Sequence, residues 1–141
     1  MKSTAELTTL FREYGYRVTP QRQAIFGLLH GNDAHPTVES LFDRARKQMP
    51  TISLKTVYQT VHDLSALGEV QLLDLGTGSL RVDPNVEDHH HHLVCTSCGR
   101  VCDLPLEFAG LHVPSRYRRG FTVDDVQVIF RGRCENCSKD R

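Results

Sequence analysis

The chain has no tryptophan, and aromatic residues make up only 7% of its 141 residues. A zinc-ribbon RNA-binding module calls for exposed aromatics on its strands, and that supply is thin here. No apolar stretch approaches the roughly 18–20 residues of a membrane span, so a membrane role is not expected. The segment Met1-Lys2-Ser3-Thr4-Ala5-Glu6 lacks the apolar core of a secretory leader, and a cytoplasmic protein is expected. An H-E-x-x-H motif is also missing. With it goes the simplest case for a zinc metallohydrolase, the rival reading of a histidine-rich chain. The formal net charge is zero, so any attraction to nucleic acid must come from how charge is distributed.

That distribution is uneven. Residues 1–62 carry eight Lys/Arg against five Asp/Glu, an excess that a dimer presents twice. It permits phosphate contact without demanding it. Helix signals follow one another through this half. Ser3-x-x-Glu6 is a capping box ahead of Leu7, Leu10, Phe11 and Tyr14, and Gly15 is a stop. Thr19-Pro20 opens a second helix with Ile25, Leu28 and Leu29 on its apolar face, closed at Gly31. Thr37 opens a third, with Val38, Leu41, Phe42 and Ala45 inward, ending before Pro50. Ser53 opens a fourth, with Val57, Val61 and Leu64 inward and Gly68 at its close. Val70–Leu73 and Ser79–Val82, joined across Gly76-Thr77-Gly78, read as a β-hairpin.

Helices followed by a hairpin describe a winged helix, in which the last helix before the wing reads DNA. Its outward face is Lys55, Thr56, Tyr58, Gln59 and His62; the bland alternative is an ordinary solvated polar face. The fold class expected is α+β: a winged-helix domain over residues 1–83, a hinge at 84–88, and a small α/β dimerisation domain over 89–141. In that second part, strands are expected at His90–Cys95, Arg100–Leu104 and Phe121–Phe130. A short helix is expected near Leu106–Leu111, limited by Pro114. Two such small domains have thin cores and call for a metal or a partner subunit.

Four of the five cysteines form two C-x-x-C pairs, Cys95/Cys98 and Cys134/Cys137. Two knuckles with two thiolates each make a closed tetrahedral site of the kind structural zinc prefers. The alternatives are a redox dithiol or two unrelated buried pairs. Cys102 stands apart and reads as a small buried residue. The run His89-His90-His91-His92 leads directly into the first knuckle. On a strand, His90 and His92 share one face and His89 and His91 the other. Two imidazoles on one face form half a site for a divalent first-row metal, or a solvated polar edge. Asp83, Asp103 and His35 are candidate further ligands, each equally readable as a cap, turn or surface residue.

Taken together, Gly15-Tyr16-Arg17-Val18-Thr19-Pro20-Gln21-Arg22, His35-Pro36-Thr37, Pro50–Tyr58, His90-x-His92-x-x-Cys95-x-x-Cys98-Gly99 and Gly132-x-Cys134-x-x-Cys137 resemble the ferric uptake regulator superfamily. The motifs run in family order over nearly the whole chain. The resemblance implies a homodimeric repressor, not an enzyme, that binds an inverted-repeat operator in double-stranded DNA when its sensory metal is present. No small-molecule substrate is expected. Arg17, Gln21, Arg22, Lys55, Thr56, Tyr58 and Gln59 are the expected DNA contacts; Gln59 stands where many members have arginine.

The resemblance also implies a sensory site of His35, Asp83, His90, His92 and Asp103. Three nitrogen and two oxygen ligands suit Fe(II) or Mn(II). Aspartate at 103, an acid at 83 and the lack of histidine in Gly120–Val126 point to the peroxide-sensing branch. There, bound Fe(II) reduces peroxide and the oxidant attacks a ligand histidine, His35 or His90. Iron homeostasis is the second reading, followed by manganese, zinc or nickel control.

Overall fold

The computed structural model describes residues 1–139; Asp140 and Arg141, the end of the expected second domain, lie outside the described residues. The chain forms two compact units, Met1–Glu87 and Asp88–Arg141.

The N-terminal unit holds four helices: α1 (Thr4–Glu13), α2 (Pro20–Leu29), α3 (Val38–Gln48) and α4 (Leu54–Ala66). Each starts where a side chain satisfies otherwise unpaired amides of the first turn. Ser3 and Glu6 cap α1 reciprocally, and the hydroxyls of Thr19, Thr37 and Ser53 cap the other three. The strands β1 (Gln71–Asp74) and β2 (Leu80–Asp83) form an antiparallel hairpin in which Leu72 faces Val82. Its turn uses Gly76 and Gly78 at φ of 75° and 84°, a region that side chains with a Cβ avoid. The Val82 amide donates to the Pro36 carbonyl at 2.9 Å, and Thr37 bridges Arg81, so the hairpin is pinned beside the start of α3. This is the winged helix expected from the sequence.

The apolar faces of all four helices meet in one core with Val70 and Val82 of the hairpin region. Phe11 is fully buried at its centre, its ring 4.9 Å from Phe26 edge-on and 5.3 Å from Tyr16. Around this core, the Arg22 guanidinium meets the Asp63 carboxylate at 2.6 Å and ties α2 to α4. Lys2 bonds to the buried Glu69 and holds the chain start against the turn after α4.

The C-terminal unit is smaller. Strands β3 (His91–Cys95), β4 (Val101–Leu104) and β5 (Ile129–Gly132) form a sheet in the order β4-β3-β5, with β3 antiparallel to β4 and parallel to β5. Two one-turn helices complete the unit, α5 (Ser115–Arg118) between β4 and β5 and α6 (Glu135–Ser138) after β5. Two expectations are corrected here. The helix near Leu106–Leu111 does not form. The stretch between Pro105 and Gly110, which sits at φ 78°, is too short to nucleate a helix without packing, and Leu106 and Leu111 are exposed. The single helical turn comes after Pro114 instead. The strand expected over Phe121–Phe130 is confined to Ile129–Gly132, because pairing with β3 begins only at Ile129. Upstream, Asp124 and Asp125 are poor strand formers. Among the described residues, no helix is long and apolar enough to cross a membrane.

Removing the Phe11 ring leaves a cavity bounded by Phe26 and Tyr16. Phe11→Ala is expected to lower the stability of the N-terminal unit by about 3–5 kcal/mol, read from denaturant unfolding. A loss below about 1 kcal/mol contradicts this packing.

Candidate metal centre and DNA-reading surface

Cys95 ends β3, Cys98 follows in the knuckle, and Cys134 and Cys137 flank the start of α6 and its last turn. Gly99, at φ 76°, turns the chain back and donates its amide to the Cys95 carbonyl at 2.9 Å. Pairing of β3 with β5 brings the two knuckles together: Cys95 faces Gly132, two residues before Cys134. Sulfur atoms of all four cysteines lie within 4.8 Å of one another, and Cys98 Sγ is 3.8 Å from Cys134 Sγ. Four thiolates about 2.3 Å from one zinc, at the corners of a tetrahedron, stand roughly 3.8 Å apart.

The electrostatics agree with that donor set. Backbone amides of Cys134 and Cys98 point at Cys95, and its thiol is lowered to about 6. The Cys134 N–H reaches Cys95 Sγ at 3.3 Å. The Cys134 thiol is lowered in turn, chiefly by the Cys137 amide. Cys137 is pushed up to about 12, first by its hydrogen bond to Cys134 and then by that to Cys98. Without a cation, the last thiol keeps its proton because its neighbours are the first to ionise. A dication removes that conflict, so the donor set fits zinc.

Each unit also carries a histidine–carboxylate group. In the N-terminal unit His35 and Asp83 are buried, and Nε2 is 3.5 Å from Oδ2. His35 sits at φ 49°, unusual for a residue with a Cβ, and its carbonyl accepts from the Arg81 guanidinium at 3.1 Å. In the C-terminal unit Asp103 Oδ1 lies 3.4 Å from His90 Nε2 and 3.8 Å from His92 Nε2. His92 is opposite Asp103 in the β3/β4 register, which puts both on one sheet face. These separations exceed the roughly 2.7–3.2 Å of an ordinary N–H···O bond. Two ligands about 2.1 Å from a shared ion stand roughly 3.0–3.5 Å apart. The chemistry of each group therefore fits part of a divalent site. The His89 and His91 rings meet edge to face at 5.0 Å, away from that pair. His91 is structural: Nδ1 accepts from the Val128 amide at 3.0 Å, and its ring packs on Phe108 at 5.1 Å. Cys102 is half-buried on β4 beside Arg100, whose guanidinium it holds above its ordinary value.

On α4, Lys55, Gln59 and His62 are exposed, and Arg17 is exposed in the α1–α2 connection. Gln21 is half-buried in the first turn of α2. The Thr56 hydroxyl is 2.9 Å from Ser53 Oγ, so it serves the helix cap. Tyr58 is half-buried and donates its hydroxyl to Glu39 of α3 at 2.8 Å. The Arg22 side chain is only 12% exposed and is paired with Asp63, so in this structure it serves as a strut between α2 and α4. Glu39 and Asp63 were invisible to sequence reasoning, since each acts on a residue 19 or more positions away.

Residues 13–131 match the ferric uptake regulator family. Ferric uptake regulation protein 2 of Mycolicibacterium fortuitum is 30% identical over 141 residues, covering 98% of this chain and 97% of that protein. The peroxide operon regulator of Bacillus subtilis is 32% identical over 137 residues, covering 95% and 92%. A solved zinc-bound manganese uptake regulator superposes with a TM-score of 0.68 at 31% identity, covering 94% of this chain and 99% of that one. The chain belongs to the ferric uptake regulator family and is a metalloregulator of transcription.

The internal role of Arg22 gives a test. Arg22→Met is expected to lower the unfolding midpoint while leaving the salt dependence of DNA binding unchanged. A slope shallower by about one unit would make Arg22 a phosphate contact after all.

Proposed function

We propose that the protein is a homodimeric repressor that binds an inverted-repeat operator when a divalent metal occupies a site made by His35, Asp83, His90, His92 and Asp103. The observation that carries the reading is the presence, in a member of this family, of a histidine–carboxylate donor group in each unit beside a complete four-thiolate cluster. The cysteines hold a structural zinc, with no open position for chemistry. The mixed nitrogen and oxygen donors hold an exchangeable Fe(II) or Mn(II). Arg17, Gln21, Lys55, Tyr58 and Gln59 form the DNA face, with Thr56 supporting the helix start. The exposed apolar groups of the C-terminal unit, among them Tyr117, Phe130 and the 74% exposed Phe121, support burial against a second copy.

The DNA-competent arrangement wins when the metal binds it more tightly than the alternatives. His35 and Asp83 belong to the DNA-reading unit, whereas His90, His92 and Asp103 belong to the other. One ion held by both sets restricts the freedom of one relative to the other. The signal we favour is peroxide. His35, Asp83, His90, His92 and Asp103 would hold Fe(II), which would supply the reduction of peroxide; one peroxide oxygen would end on a ring carbon of a ligand imidazole, His35 or His90, and the other would leave as water. This is sacrificial signalling without turnover. Control by iron supply is the second reading, favoured by the relative named for ferric uptake.

Two outcomes follow. Cys98→Ser removes a ligand whose site contributes on the order of 10 kcal/mol of apparent folding free energy. The variant is expected to lose zinc and its dimer; a zinc-free, stable dimer refutes the cluster's role. His92→Ala is expected to keep the zinc and lose metal-dependent operator binding. In the Fe(II) form of the unmodified protein, dilute peroxide is expected to release DNA and add one oxygen to the His35 or His90 peptide by mass spectrometry. The Mn(II) form should show neither change. Unmodified peptides in Fe(II) protein still bound to DNA leave metal supply as the signal.

A further inference from the structure

The reading helix carries an acid–phenol contact that base recognition alone does not call for. Tyr58 projects from α4, and Glu39 comes from the first turn of α3. The Tyr58 hydroxyl donates to Glu39 Oε1 at 2.8 Å. One side of the ring packs against the core of the N-terminal unit, and the ring lies nearly parallel to that of His62, 22° apart at 6.5 Å. The phenol is therefore held from three directions. Glu39 is exposed and sits at a helix N-terminus, where a carboxylate is favoured in its charged form.

We propose that Glu39 is a positioning residue for DNA readout: by accepting the only hydrogen bond the Tyr58 hydroxyl can donate, it turns that tyrosine from a phosphate donor into a reader of the thymine methyl group. The inference rests on the reading that α4 meets DNA.

A tyrosine on a DNA-facing helix has two uses. Its O–H can donate to a phosphate, which carries no sequence information, or its ring can pack on a thymine methyl, which does. While the hydroxyl donates to Glu39, it presents only lone pairs outward. The adjoining carboxylate also repels phosphate. The ring remains available, and its rotamer is fixed before DNA arrives. The same contact raises the phenol above its ordinary value, the hydrogen bond to Glu39 coming first. Glu39 thus acts on specificity through Tyr58, without touching a base.

The test uses Mn(II)-loaded protein and an inverted-repeat duplex that the protein itself selects from a random pool. Each thymine is replaced in turn by uracil, which lacks the methyl group. For the unmodified protein, one thymine per half-site is expected to show a penalty of about fivefold. In Glu39→Ala that penalty disappears, and affinity for a random-sequence duplex rises about threefold. Glu39→Gln keeps an acceptor for the hydroxyl without the charge. It should restore the uracil penalty while retaining the stronger random-sequence binding. Tyr58→Phe should abolish the penalty, and adding Glu39→Ala to it should change the penalty no further. Glu39→Ala with an undiminished uracil penalty, or no thymine at which uracil matters in the unmodified protein, overturns the proposal. If Tyr58→Ala leaves operator affinity untouched, the DNA face itself is misplaced and the proposal falls with it.

Discussion

Four cysteine sulfurs drawn within 4.8 Å of one another are the constraint on which the C-terminal unit rests. Its other resources are few. Val94, Cys95 and Val101 are its only buried apolar residues among those described, and much of what surrounds them is histidine. A three-stranded sheet of four- and five-residue strands does not bury enough to stand alone. The cysteine cluster ties the end of β3 to the chain that follows β5, so one ion closes a segment running from Cys95 to Cys137. The order of that segment fixes β3 and β4, which carry His92 and Asp103, with His90 just ahead of β3.

The N-terminal unit is built the other way. Its four capped helices and hairpin share one closed apolar core, and polar struts such as Arg22–Asp63 and Lys2–Glu69 lie around it. It needs no metal to hold its shape. A stable reading head and a metal-dependent partner unit suit a regulator. Under the proposed function the ion acts on the freedom of one unit relative to the other and leaves the reading surface itself intact. Within the N-terminal unit His35 and Asp83 stand side by side in the interior, with the strained backbone of His35 held by Arg81.

The legibility of the sequence followed the range of the interactions. Ser3-x-x-Glu6, Thr19-Pro20, Thr37 and Ser53 act within one helical turn, and the helices they announce appear within a residue or two. The cysteine knuckles were equally plain, because C-x-x-C spacing is itself the chemistry. The alternation of His90 and His92 against His89 and His91 survived, although the strand begins at His91. Local signals misled where pairing decides. Phe121–Val128 looks β-like, yet only Ile129–Gly132 finds β3 as a partner. Leu106–Leu111 looks amphipathic, yet it has too few residues between breakers to hold a helix. Contacts between distant residues were beyond reach. Nothing local marks Asp63 as the partner of Arg22 or Glu39 as the partner of Tyr58.

Linkage supplies the sharpest test of the claim that metal and DNA favour the same state. If Mn(II) tightens operator binding by some factor, the operator must tighten Mn(II) binding by that same factor. Mn(II) affinity of the zinc-loaded protein should therefore be measured twice, with and without saturating operator duplex, beside the operator affinity with and without Mn(II). The account predicts two equal factors, each about tenfold or more. Mn(II) affinity that is indifferent to the presence of operator would contradict it.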